Sequence, residues 1–211
     1  MKRGIFFSFD GVDGAGKSTQ MRHFCQWLTQ AGHEVVTCRD PGSTPLGEAI
    51  RKLLLDRHDF AIGPRSEMLL YMAARAQLVE EIIRPALEQD QCVVSDRFLL
   101  ANVAYQAYAG GLDVEQTWSI GEVATGGIKP ELTFILDLPV EIAWSRLNRE
   151  RDRMEQRGLD FLARVRQGFL SEAARQPNRM LVIDASRPIE AIQSEIQRAA
   201  EKFVASRSGD S

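Results

Sequence analysis

The sequence predicts an α/β fold in three layers, with a five-stranded parallel sheet between two layers of helices. Three observations carry this. Five short apolar runs recur along the chain, helical patterns separate them, and the 211 residues, 44% hydrophobic, suffice for one buried core but are short for two. Strands that alternate with helices assemble into parallel sheets covered on both faces. A single domain over 1–211 is therefore expected.

The strand candidates are GIFFSF (4–9), EVVTC (34–38), QCVVS (91–95), LTFILDL (132–138) and MLVID (180–184). After the first, Met21, Phe24, Cys25 and Leu28 fall at i, i+3, i+4 and i+7, which gives a helix one apolar stripe, and Gly32 supplies its stop. A long helix is expected over 65–89, with Pro85 near its end. Another is expected over 188–205, where Ile189, Ile192, Ile196, Ala199 and Phe203 share a face. The polar tail SRSGDS (206–211) should be disordered. One segment stands apart: RLNRERDRMEQRG (146–158) has only Leu147 and Met154 as large apolar side chains among its arginines, so it cannot be a core element. By composition alone it reads as a solvated helix face.

Charge and cysteine usage exclude several classes. A net charge of −3 and a pI near 5.7 provide no global basic field, so nucleic acid is not an expected partner, while small anions need only local positive charge. Cys25, Cys38 and Cys92 make an odd count without zinc-site spacing, which fits a reducing compartment. The opening MKRGIFFSFDG has a basic pair and an apolar run, but Asp10 interrupts that run too early for a signal peptide. No stretch approaches the roughly 18 apolar residues of a membrane span. A cytoplasmic protein with no membrane partner is expected.

The strongest motif is DGVDGAGKST (10–19). Gly11-Val12-Asp13-Gly14-Ala15-Gly16-Lys17-Ser18 completes the eight-residue phosphate-loop pattern and sits where its chemistry requires, after an apolar strand and before an amphipathic helix. Its glycines let successive N–H groups converge on phosphate oxygens, with the helix N-terminus adding positive potential. Lys17 would reach the β- and γ-phosphates and Ser18 would offer its hydroxyl to Mg²⁺, with Thr19 beside it. The pattern predicts a P-loop NTPase fold and a nucleoside triphosphate, without saying which reaction follows.

Candidates for a second site are spread along the chain. Arg39, Asp40 and Pro41 follow the second strand and lead to a short helix with Arg51. Tyr71 and Arg75, four apart, share a helix face and could offer a ring and a guanidinium to one ligand. Asp96 and Arg97 lie at the carboxyl end of the third strand, where ligands of open α/β sheets bind. Asn102, Tyr105 and Gln106 form a polar-aromatic face just beyond. Each has a plainer reading: Tyr71 as core with Leu78 and Ile82, Arg51 as an exposed helix residue, Arg75 as an ion-pair partner of Glu67 or Glu80, Asn102 as a helix cap.

Taken in order, these residues resemble bacterial thymidylate kinases, and the resemblance runs from about residue 4 to about residue 200. It rests on DGVDGAGKSTQ, RDPGSTPLGEAIR, AARAQ, DRF, AYQ, GIKPELTFILDLP and DRMEQ, of which only the first is widely shared among nucleotide-binding proteins. The resemblance implies ATP- and Mg²⁺-dependent phosphorylation of dTMP to dTDP by a homodimer. It implies that Tyr71 stacks on thymine, Arg75 hydrogen-bonds the base, Arg51 and Arg97 hold the acceptor phosphate, and Asn102, Tyr105 and Gln106 line the base and sugar pocket. Asp13 would face the acceptor 3′-hydroxyl, Asp10 would support the loop, and Asp96 would help organise Mg²⁺ and orient Arg97. DASRP (184–188) would lie against adenine. Family members with glycine at the position of Gly14 take their transition-state arginine from a short mobile lid, here about 146–158. Arg149 is the first candidate and Arg153 the second, with Arg151 between them. The chain departs from the family pattern at Ser43, Ala107 and Glu131, changes that bear on substrate breadth.

Overall fold

The structure, a computed structural model, describes residues 4–56, 59–147 and 153–209. Five parallel strands form one sheet: β1 (Ile5–Asp10), β2 (Val35–Arg39), β3 (Cys92–Asp96), β4 (Leu132–Asp137) and β5 (Met180–Asp184), in the order β2-β3-β1-β4-β5. Each strand lies within a residue or so of its expected run, because β-branched and aromatic clusters bounded by polar turns leave little freedom in placement.

The central strand shows why both faces must be covered. Phe7 and Phe9 point into one apolar cluster with Phe24, Leu28, Phe134 and Phe169, whereas Phe6 points into the other with Val93, Met72 and Phe98. Residues alternate across a strand, so apolar side chains at successive positions demand helices on both sides. Helices α1 (Lys17–Gln30), α8 (Leu159–Arg175) and α9 (Ile189–Gly209) contribute to the first cluster, and α3 (Pro64–Leu78) to the second. Phe7, Phe9, Phe24 and Phe134 meet at centroid distances of 5.0 to 6.1 Å, within the range of favourable aromatic pairing.

Two helices differ from the expected pattern. The stretch expected as one helix over 65–89 is α3, then a π-helical turn (Val79–Ile83), then α4 (Arg84–Glu88). Pro85 has no N–H to donate and its ring would press on the carbonyl four residues back, so the backbone widens just before it. The stretch after β3 begins as α5 (Leu99–Asn102) and continues as a second π-helical segment, Val103–Ala109. α9 extends to Gly209, four residues past the expected end, so helical backbone reaches into the stretch read as a disordered tail. The remaining helices are α2 (Pro45–Leu55), α6 (Val114–Thr125) and α7 (Val140–Ser145). Among the described residues, no helix is long and apolar enough to cross a membrane.

Parallel register brings Phe9 level with Asp96, and Arg39 level with Asp96 from the other side. The carboxyl ends of β1, β2 and β3 therefore open at one edge of the sheet, and the site is built there.

Candidate active site

β1 ends at Asp10, and the chain turns through Gly11–Gly16 into α1. Gly14 has φ 84°, and a Cβ there would stand 2.2 Å from the Ala143 carbonyl oxygen of α7. No L side chain fits at that position without moving α7. The N-cap of α1 is Gly16, which offers no side-chain cap, so the first-turn amides face the loop's hollow as an anion site requires. Lys17 is buried, and its Nζ donates to the carbonyls of Gly11 (3.1 Å) and Val12 (3.0 Å) and to Asp13 Oδ1 (3.2 Å). Burial, reinforced by nearby Arg97, lowers the Lys17 pKa. A polyanion in the hollow would restore full stability to that ammonium. Ser18 is exposed at the mouth of the loop and Thr19 half-buried behind it.

Asp13 links the loop to the end of β3. Arg97 has φ 67°, a left-handed conformation that costs a non-glycine residue on the order of 1 kcal/mol. It is held there by its N–H, which donates to Phe9 O (2.9 Å), and by the Ser95 hydroxyl, which donates to Arg97 O (2.6 Å). The turn aims the guanidinium at the loop: Nη2 donates to Asp13 Oδ1 at 2.8 Å and to the Tyr105 hydroxyl at 3.3 Å, with Cζ 5.1 Å from the Tyr105 ring centroid. Arg97 Nη1 is buried with no hydrogen-bond partner, as is Asp96 Oδ1. Burial raises the Asp13 pKa, but Arg97 and Lys17 outweigh it and hold the carboxyl well below the usual range. Burial pushes the Tyr105 phenol up.

A second group of side chains closes the opposite wall. Arg75 is 1% exposed, and its Nε donates to Asp40 Oδ2 at 2.6 Å while Nη1 donates to Asn102 Oδ1 at 3.0 Å. Neither Glu67 nor Glu80 takes the ion-pair role considered from sequence; Asp40 does, because Arg75 points inward rather than along its own helix. Asn102 likewise is no cap. Its Nδ2 donates to Gln106 Oε1 at 2.7 Å, across the junction of α5 and the π-helical segment. Arg51 Nη1 donates to Pro41 O at 3.0 Å, and burial together with Arg39 lowers the Arg51 pKa. Tyr71 stands half-buried at the same cavity rather than deep in the core.

These parts surround one cavity of about 430 Å³, sized for a nucleotide. The loop residues Asp13, Gly14, Gly16, Lys17, Ser18 and Thr19 border it, as do Asp40, Pro41, Arg51, Tyr71, Arg75, Asp96, Arg97, Asn102, Tyr105 and Gln106. Val12 and Ala15 are buried beneath the loop instead. The arginine-rich segment enters through Arg146, Leu147 and Met154. Arg149 and Arg151 lie outside the described residues. Arg153 does not border the cavity: its N–H and Nε donate to the carbonyls of Leu55 and Leu54, and Nη2 donates to Glu67 Oε2. The segment thus folds its C-terminal end against α2 and α3.

Glu131, one of the departures from the family pattern, does not border the cavity. Its carboxylate accepts from the N–H of Phe6, near the amino end of β1, away from the carboxyl edge where the cavity lies. Sequence reasoning gave Arg146 and Leu147 only as members of the 146–158 segment, and singled out neither Leu55, which borders the cavity, nor Glu67, which lies outside it. Only three-dimensional placement reveals them, since none carries a motif.

The donor set at the loop suits Mg²⁺. Among the described residues no group of three or more His, Cys, Asp or Glu could hold a metal by itself, and Mg²⁺ in phosphate sites takes one or two protein oxygens while keeping waters and phosphate oxygens. The exposed Ser18 hydroxyl and the unpartnered Asp96 Oδ1 fit that requirement.

Comparison with known proteins agrees with the geometry. The family model described as thymidylate kinase matches residues 9–196. A thymidylate kinase of Kosmotoga olearia is 45% identical over 194 residues, covering 91% of this chain and 93% of that one. One from Bifidobacterium longum strain DJO10A is 47% identical over 197 residues, covering 92% and 96%. Among solved structures, thymidylate kinase from Ehrlichia chaffeensis superposes with a TM-score of 0.76 at 29% identity, covering 94% of this chain and 99% of that chain.

Proposed function

The chain belongs to the thymidylate kinase family, whose members transfer a phosphoryl group from ATP to dTMP, and we propose that the cavity between the phosphate loop and Arg75 performs that transfer. The observation that supports this reading best is the pairing of Asp13 with Arg97. A loop that only hydrolysed a nucleotide would have no need of a carboxylate that joins its lysine to an arginine of a second cationic wall.

In this reading Gly11 to Thr19 cradle the donor phosphates, with Lys17 on the β- and γ-oxygens. Tyr71 stacks on the acceptor base, Arg75, Asn102 and Gln106 read its edge, and the Tyr105 ring crowds the 2′ position. Asp13 accepts from the 3′-hydroxyl. Arg51 and Arg97, with the free Nη1 of Arg97, hold the acceptor phosphate. Mg²⁺ held by Ser18 and Asp96 would neutralise charge on the phosphate oxygens when bound. The acceptor phosphate is ionised near neutral pH, so no general base is required, and what the residues supply is in-line alignment and cancelled charge. A transition-state arginine comes from the lid at 146–158, with Arg149 the first candidate, because Gly14 has no room for one in the loop. A homodimer and a cytoplasmic location belong to the same reading; light scattering on the purified protein tests the first.

The test is a coupled ADP-release assay with Mg-ATP and dTMP, dUMP, dCMP, dGMP, the ribose form of TMP, thymidine, or no acceptor. Turnover led by dTMP and nearly absent without acceptor is expected. Turnover led by thymidine would remove the role of Arg51 and Arg97 and with it this reading.

A further inference from the structure

We propose that Glu67, a residue of α3 outside the acceptor cavity, is a positioning residue that sets the hydrogen-bonding polarity of the acceptor-base pocket and ties the lid to it. Glu67 is 1% exposed. A carboxylate so buried persists only if its lone pairs are filled. Its Oε1 accepts from Gln106 Nε2 at 3.1 Å, and its Oε2 accepts from Arg153 Nη2 at 2.5 Å and Arg157 Nη2 at 2.8 Å.

The chain of bonds beyond it has a direction. A carboxylate can only accept and a guanidinium can only donate. With Glu67 at one end, Gln106 must turn its NH₂ toward Oε1, which leaves its Oε1 for the NH₂ of Asn102 and leaves the Asn102 oxygen for Arg75 Nη1. Arg75 then closes on Asp40. Arg75 fixes the Asn102 amide from the other end, so Glu67 acts on Gln106: without the carboxylate, Gln106 is held by its Asn102 bond alone, and turning it over exchanges donor for acceptor at the base edge. Thymine and cytosine differ there by an acceptor oxygen against a donor amine, so amide polarity bears directly on which base is taken. The same carboxylate grips Arg153 and Arg157 at the C-terminal end of the arginine-rich segment, so pocket order and lid placement share one anchor. The inference rests on the dTMP-kinase reading for its acceptor, while the lid contact stands apart from it.

The test compares wild type with Glu67→Gln, which keeps size but can present an NH₂ to either neighbour. With folding checked by circular dichroism, the variant should raise KM for dTMP about tenfold or more, the order carried by a hydrogen bond to a charged group. It should narrow the dTMP-over-dCMP preference by a similar factor and leave KM for ATP within about threefold. In the ligand-free protein, backbone hydrogen exchange over 153–158 should speed up. Unchanged dTMP KM and base preference, or unchanged exchange, would overturn the proposal. A wild type that prefers another acceptor would sink the kinase reading, and the ligand-free exchange comparison would still judge Glu67. If Glu67→Gln does not fold, Arg157→Gln replaces it. That variant keeps Arg153 on the carboxylate and should shift dTMP KM and exchange in the same directions by smaller factors; no shift in either would equally overturn the proposal.

Discussion

Asp10 and Asp13 stand three residues apart and meet opposite electrostatic fates. Asp13 lies against Arg97 and Lys17 and stays ionised at any working pH. Asp10 is fully buried, with Oδ1 unpartnered, and burial outweighs the pull of Arg97 and Lys17, so its pKa rises from 3.8 to about 7. The folded state therefore holds a proton that the unfolded chain releases near pH 4, and folding loses stability as pH rises from about 4 to about 7, where the loss levels off. Asp10→Asn, which stays neutral, should be more stable than wild type at pH 8 by an amount on the order of a few kcal/mol, and close to it near pH 4. Urea unfolding at both pH values decides; an equal difference at the two would show that Asp10 is charged in the fold. The lid arginines separate by the same reasoning from contacts. Arg153 is spent on Glu67 and on the Leu54 carbonyl, so Arg153→Ala should act mainly on dTMP KM and on stability. Arg149→Ala should lower kcat by about 10³ or more, the range of a transition-state arginine. Steady-state kinetics of the two variants would show the reverse ranking if Arg153 were the residue in the transition state.

At the scale of elements, the strands were legible because each is a short apolar run bounded by polar residues, and in the inner strands β1, β3 and β4 burial on both faces leaves such a run no alternative fate. Phe6, Phe7 and Phe9 alone dictate two helical layers. What remained hidden were departures from the regular helix. The π-helical turn at Val79–Ile83 answers to Pro85, a visible residue whose consequence is a local compromise between a missing donor and continuous packing. The π-helical segment at Val103–Ala109 has no such marker, yet it carries Tyr105 and Gln106. The close approach of the phosphate loop to α7 is likewise absent from any motif: glycine at position 14 could have meant only a tight turn, whereas its missing Cβ makes room for the Ala143 carbonyl. Because α7 ends at Ser145, just before the arginine-rich segment, the two elements are mechanically joined. Gly14→Ala should therefore cost about 1–3 kcal/mol of stability through the positive φ and the clash, and lower kcat more than it changes KM for dTMP. Wild-type stability and turnover in that variant would mean that α7 yields without consequence.

Across the whole molecule, the site is assembled from parts that are far apart in sequence and meet only because the strand order places the ends of β1, β2 and β3 together. Motif and spacing identified nearly every side chain at the cavity but not the partners each would choose, since Asp40 with Arg75 spans 35 residues and Arg97 with Asp13 spans 84. A cavity bordered by Arg51, Arg75 and Arg97 on one side and the phosphate loop on the other presents several cations to one ligand, and burial together with Arg39 weighs against the charge on Arg51. A bound phosphate monoester would offset that burial cost at Arg51, and a ligand that binds only the folded state raises global stability. At a concentration of dTMP near 100 times its Kd, linkage gives about 2.7 kcal/mol, which for a chain of this size corresponds to a rise in Tm of roughly 5–10 °C. Thymidine at the same concentration offers the base and sugar but no phosphate for Arg51 and Arg97, and should raise Tm far less. Replacing Arg51 with Gln should shrink the gap between the two ligands by weakening dTMP while sparing thymidine. Differential scanning fluorimetry reads all four combinations without any turnover. Equal shifts from dTMP and thymidine in the wild type would mean that the arginine wall does not bind the acceptor phosphate, whatever the assay of activity reports.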